Sequence, residues 1–340
     1  MTWYAVEALD DALDATKSLL TPLDARQWLK LALVVFFLGS GGGGGPSAGA
    51  GGSTGTPADG PGTTPGHGVE FDVPAALGDV LPILLGAIAV ALVVGLLYVL
   101  VGAVMEFVFV ESLRRQRVRI RSYADQHLGR ALRLFVFRVA LGLLVAVPAV
   151  ALVVGAVGLA TGGLDVSLGL LVVLIPLLAL LGFLVAAVDA FTVSFVVPVM
   201  ILKNVGVLAG WRRFWPTLTR EWKQYGVYAL VRFVLALGVG LIASVVGGVV
   251  GALLVAPVAV VGVVAVPALG GVGAVLSNPV ALAVAGLLAL AYFALLTAAL
   301  AVVFVPIQTY LRYHALLVLG DTDADFDLIP DLRRKIRETG

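Results

Sequence analysis

The sequence predicts an all-α integral membrane protein: six transmembrane helices in three quasi-repeated hairpins, with amphipathic helices on the cytoplasmic side. Three observations predict it. Of 340 residues, 60% are apolar and only 13% are charged, against about half and roughly a quarter in a soluble domain, and mean hydropathy reaches +1.07. Several apolar runs exceed the ~20 residues that span a bilayer core. All 22 Lys and Arg fall in alternate connections or just inside the helices that flank them, and the connections 40–77, 161–166 and 254–278 hold none. By the positive-inside rule the basic side is cytoplasmic, which puts both termini inside the cell membrane and makes the number of spans even.

The elements follow in order. Residues 1–22 read as an amphipathic interfacial helix, with Trp3, Val6, Leu9, Leu13 and Leu20 near one side and Glu7, Asp10, Asp11 and Asp14 on another. A short first span covers 26–39 and is marginal in length. The stretch 40–77 is Gly-, Ser- and Pro-rich and reads as a disordered external loop, since such a composition buries no core. The second span is 78–107, followed by a basic cytoplasmic segment at 108–133. Spans three and four cover 134–160 and 167–200. A Trp- and Arg-rich cytoplasmic amphipathic segment occupies 201–225, where Trp211, Phe214, Leu218 and Trp222 lie close to one face. Span five is 226–253. The apolar stretch 254–278 is punctuated by Pro257, Pro267, Gly270, Gly271 and Gly273, and reads as an external or re-entrant loop in place of a seventh span. Span six is 279–307, and 308–340 is the cytoplasmic tail.

A repeat emerges when the spans are laid side by side. Lys30, Arg138 and Arg232 each open an odd-numbered span with a cation followed by small apolar residues, about a hundred residues apart, with Trp28, Phe135 and Tyr228 close by. This is the basis of the three-hairpin architecture.

Composition excludes several functions. No cysteine means no thiolate metal site and no cysteine nucleophile. A net charge of +1 gives no footprint for nucleic acid. His67, His127 and His314 are scattered, and no phosphate-binding loop or paired-His motif is present, so neither a metal nor a cofactor is expected. The run from Asp321 to Asp327 has Phe326 where a calcium loop needs Gly and Leu332 where it needs Glu, and reads as a solvated acidic tail.

The remaining signal is polar groups within the spans, because a charge in lipid is costly. Counting back from the first cation after each even span places Asp189, Tyr98 and Thr297 at one depth near the midplane. There a largely protonated Asp189 is expected to hydrogen-bond Tyr98, Thr297 or Thr192. Glu106 and Arg138 form a candidate ion pair on neighbouring spans. Lys30, Arg138 and Arg232 are candidate lipid-headgroup contacts, as cations that reach toward phosphates from shallow depth.

At Val197-Pro198-Val199-Met200-Ile201-Leu202-Lys203-Asn204 and again at Gly210-Trp211-Arg212-Arg213-Phe214-Trp215-Pro216, the chain resembles uncharacterised six-span membrane proteins of haloarchaea. More distantly it is similar to the membrane domain of membrane-anchored glycerophosphodiester phosphodiesterases. The first likeness covers nearly the whole chain and includes Trp3-Tyr4-Ala5 and Asp24 to Leu29; the second covers the junction of spans four and five. The resemblance implies no catalytic residue, because the phosphodiesterase activity of that distant family resides in a separate barrel of roughly 250 residues. The sequence therefore points to a non-enzymatic scaffold or lipid-contacting protein, with membrane lipid and other membrane proteins as partners. The alternative is a small-solute or proton-coupled transporter or channel that uses Asp189.

Overall fold

A computed structural model describes residues 3–21, 24–38, 73–160, 168–268, 271 and 278–339. Every regular element among them is helical: α1 (Tyr4–Leu20), α2 (Ala25–Leu38), α3 (Val73–Arg115), α4 (Ile120–Ala160) and α5 (Leu168–Phe191) come first. A π-turn (Thr192–Val196), α6 (Val197–Lys203), α7 (Val207–Arg220), α8 (Trp222–Ala268) and α9 (Pro279–Thr322) follow. A single 3-10 turn (Ala324–Phe326) leads to α10 (Pro330–Thr339). Of the Gly-rich loop expected to be disordered at 40–77, residues 40–72 lie outside the described residues, as do His67 and the connection 161–167, while 73–77 are already helical at the start of α3.

Among the described residues, five helices are long and apolar enough to cross a membrane: Ile88–Arg115, Ile120–Leu159, Val172–Lys203, Trp222–Pro257 and Ala283–Thr322. The expected first span is not among them. Helix α2 has 14 residues, so it extends only about 21 Å, well short of a ~30 Å hydrocarbon core.

The expected boundaries were too tight at the basic end. Helix α3 runs on through Arg114 and Arg115, and α9 carries 44 residues through the segment expected to be tail. Cations did not end these helices because their side chains find carboxylates on neighbouring turns and helices. At the opposite end, more than half of the expected loop 254–278 is helical: α8 continues to Ala268 through Pro257 and Pro267. A proline in an apolar helix forfeits one hydrogen bond and is tolerated there. The helix closes where Gly271, at φ +94°, donates its N–H to Val266 O at 2.9 Å. That left-handed conformation suits glycine.

Along these helices, packing is concentrated at the basic end. Phe107, Val108, Phe109, Val110 and Leu113 of α3, the π-turn with α6, and Ala315 to Leu319 of α9 form one buried core. Phe195 of the π-turn sits among Phe214, Tyr225 and Tyr228, with ring centroids 4.8–5.4 Å away. The opposite halves are exposed along most of their length, including Leu92, Val150, Phe183 and Leu241.

Helix α1 packs by a face turned about a third of a turn from the one expected. Ala5, Ala8, Ala12, Ala15 and Leu19 are buried, while Trp3, Val6 and Leu13 are exposed; of the expected side Leu20 is buried and Leu9 half-buried. The alanines recur at intervals of three and four, which aligns them on one side. Their small size lets α1 lie close against α9.

Candidate functional site

The polar interior is a chain of charges built from four long helices. Glu106 projects from α3, Arg138 from α4, Asp189 from the end of α5, and Arg312 from α9. Arg138 Nε donates to Asp189 Oδ1 at 3.0 Å, and its Nη2 lies 3.4 Å from Glu106 Oε1. Glu106 Oε2 in turn accepts from Arg312 Nη2 at 2.6 Å. Arg312 Nη1 donates to Val193 O at 2.6 Å, inside the π-turn. Glu106 is 1% exposed and both arginine side chains are under a tenth exposed. Two cations and two carboxylates thus balance in a nearly dry interior, where an isolated charge would cost several kcal/mol.

The backbone explains why Arg312 can terminate this chain. A π-turn widens the helical ladder, and here it begins three residues after Asp189, at Thr192, with its Val193 carbonyl accepting from Arg312. The same turn is held from outside by α7. Trp211 Nε1 donates to Thr192 Oγ1 at 3.0 Å, and Gly210 sits so close that a Cβ there would fall 2.8 Å from Val196 Cγ1.

The structure therefore brings Glu106, Arg138 and Asp189 together and separates the rest of the expected midplane cluster. Tyr98 donates to Phe36 O at 2.7 Å on α2. Thr192 donates to Val188 O at 2.7 Å and Thr297 to Phe293 O at 2.5 Å, each satisfied one turn back on its own helix. Counting depth from the first cation failed because α3 and α9 run past those cations and the π-turn interrupts the fourth span. Asp189 faces Arg138 in place of the expected Tyr98, Thr297 or Thr192. Arg138, expected to reach toward lipid, is buried between two carboxylates. Lys30 and Arg232 are half-exposed.

Sequence reasoning missed Arg312, which falls in the segment 308–340 expected to be cytoplasmic tail. The signal was present: Ala315 to Leu319 continue the apolar run beyond it, which places the charge inside a helix. It also missed two further clusters. Glu111 and His127, both buried, face each other across 3.8 Å, with Arg114 and Arg115 on Glu111. The acidic run is no solvated tail: Asp321 is bound by Arg333 at 2.9 Å and by Arg337 at 2.7 Å, and Arg333 also reaches Asp327 at 2.5 Å. Arg337 spans to Asp11 of α1 at 2.8 Å. Asp321 first, and then Asp11, push the Arg337 guanidinium above its ordinary value by stabilising its charge.

The model of a family of unknown function, DUF7544, matches residues 3–329. The chain belongs to that family. Comparison with curated proteins and with solved structures gives no match. The matched span contains the whole charge chain from Glu106 to Arg312, together with α7 and the alanine seam of α1. Chemically, the chain offers four paired charges that lock α3, α4, α5 and α9 in register. Among the described residues, no group of three or more His, Asp or Glu is placed to hold a metal ion.

Proposed function

We propose that this chain is a non-enzymatic, multi-pass protein of the cell membrane, with its basic end and both termini cytoplasmic, acting as a scaffold that meets lipid headgroups and other membrane proteins. The observation that carries this reading is α7. Val207, Gly210, Phe214 and Thr217 dock one face of it into the core. Its other face presents Leu208 and Trp215, 70% and 57% exposed, beside exposed Arg212 and Arg213, and Trp222 continues the surface at the start of α8. Mixed Trp and Arg on a docked amphipathic helix is the composition favoured at headgroup level.

The likeness to six-span haloarchaeal proteins and, distantly, to phosphodiesterase membrane domains belongs to this reading. In it, α2 together with the residues on either side of it makes the sixth crossing that an even number requires and forms a first hairpin with α3, α4 pairs with α5, and α8 with α9. The transport alternative is less favoured, because Asp189 is engaged by Arg138 in a balanced set of charges.

The test is tryptophan fluorescence of the full chain in phosphatidylcholine vesicles brominated at shallow or deep acyl positions. Shallow bromine is expected to quench more strongly, and Trp215→Phe with Trp222→Phe to remove most of that difference. Quenching that is equal at both depths, or unchanged in the double variant, overturns the reading.

A further inference from the structure

Where α1, α8 and α9 meet, an open groove of about 250 Å³ faces outward. Its walls are apolar: Leu13 of α1, Leu235 and Val239 of α8, and Pro306, Ile307 and Leu311 of α9. Tyr310 closes one side. Arg232 precedes Leu235 by three residues and Val239 by seven, so all three share one face of α8, with the cation toward the basic end.

Arg232 differs from the other arginines on the inner faces of the long helices. Arg138 and Arg312 are each paired with a carboxylate. Arg232 is half-buried and its polar contact is Nη1 to Tyr228 Oη at 3.5 Å; among the described residues it has no carboxylate within 4 Å. It is joined to the groove by a ring stack: Tyr228 stacks on His314, and His314 on Tyr310, with centroids 5.4 and 6.5 Å apart. Arg312 lies near enough to repel it, although Glu106 already neutralises Arg312.

A half-buried guanidinium without a counter-ion, at the basic end of an apolar groove that opens outward, matches one kind of ligand. We propose that this groove holds an acyl chain of a phospholipid whose phosphate is bound by Arg232. The proposal rests on the lipid-contacting reading above and gives it an address and a headgroup chemistry. Guanidinium donors pair readily with phosphate oxygens, and the apolar walls provide for the chain what water cannot.

The experiment is native mass spectrometry of the full chain released from detergent micelles after adding palmitoyl-oleoyl phosphatidylglycerol, dioleoylglycerol or inorganic phosphate. Phosphatidylglycerol is expected to stay bound, and the phosphate-free lipid and free phosphate to be lost. Arg232→Gln is expected to weaken retention about tenfold, the size of one lost charge-assisted hydrogen bond. Arg232→Lys is expected to restore most of it, and Val239→Trp to block the groove. Each variant is compared at matched thermal stability, so that unfolding is not read as lost binding.

Equal retention of phosphatidylglycerol by Arg232→Gln and Val239→Trp overturns the proposal. So does a groove that Val239→Trp blocks but that keeps dioleoylglycerol equally well, or a second copy of the chain bound there in place of lipid. The bromine-depth test at Trp215 is separate: its failure with lipid still retained through Arg232 removes the scaffold reading and leaves this site, and the converse removes only the site.

Discussion

Leu113 of α3 and Leu143 of α4 are both leucines in long apolar helices, yet the first is fully buried and the second 55% exposed. The contrast repeats along every long helix. Toward the basic end, side chains of three or more elements interlock around Phe195 and the Glu106 charge chain. Toward the far end, Leu, Val and Phe point outward from helices that touch mainly along one side. Hydropathy is high in both regions, so it does not distinguish them. What distinguishes them is the presence of polar groups and small residues that fix partners: charges that must be paired, and alanines that permit close approach. The apolar end is built to be wetted by lipid, and the basic end to hold one arrangement.

Four substitutions test this division, and the largest effect belongs to the charge chain. Glu106→Leu leaves Arg312 without a carboxylate and removes one of the two that Arg138 has, which costs about 3–5 kcal/mol. Thermal unfolding in detergent is expected to show a large fall in midpoint, or loss of monodisperse protein. A midpoint close to that of the unaltered chain would mean the charges do not hold the helices. Gly210→Ala comes next, since its Cβ would press on Val196 Cγ1 at 2.8 Å and Met200 Cγ at 3.3 Å. Overpacking of this kind costs about 1–3 kcal/mol, and exposure of Trp211 to an aqueous quencher should rise as α7 loosens from the π-turn.

Asp321→Asn weakens the link from α9 to α10. Because Arg337 is 43% exposed, solvent screening limits the loss to about 1 kcal/mol, and added salt should narrow the difference from the unaltered chain. The smallest effect is expected from Val150→Ala in the exposed half of α4. Its unfolding midpoint should stay within the range of about 0.5 kcal/mol usual for surface changes. A large loss there would show that the far half packs against something specific and would erase the division.

The sequence made the apolar runs of the long helices legible because a bilayer imposes length and hydrophobicity on each segment separately. It also placed Glu106 and Arg138 on neighbouring helices. The remainder depended on what meets what. The alanine face of α1 was overlooked because Ala5, Ala8 and Ala12 carry little hydrophobic signal beside Trp3 and Leu13, whereas close packing selects small size. Arg312 was overlooked because a cation near a helix end looks the same whether it meets water or Glu106. The π-turn has no compositional mark in Thr192 to Val196, yet it sets both the Asp189 register and the carbonyl that Arg312 caps. The length of α2 was legible as marginal, and its 14 residues fall short of a full crossing.

The alanine seam carries a consequence for biosynthesis. The partner of Ala5 is His314, whose Nε2 meets the Ala5 carbonyl at 2.7 Å, and Asp11 awaits Arg337. Helix α1 therefore completes its seat only after α9, the last long helix among the described residues, has been translated. Until then α1 has only α8 to meet, through contacts such as Tyr4 N–H to Gln224 Oε1 at 3.2 Å, so removing α9 and the residues after it leaves α1 without its main dock.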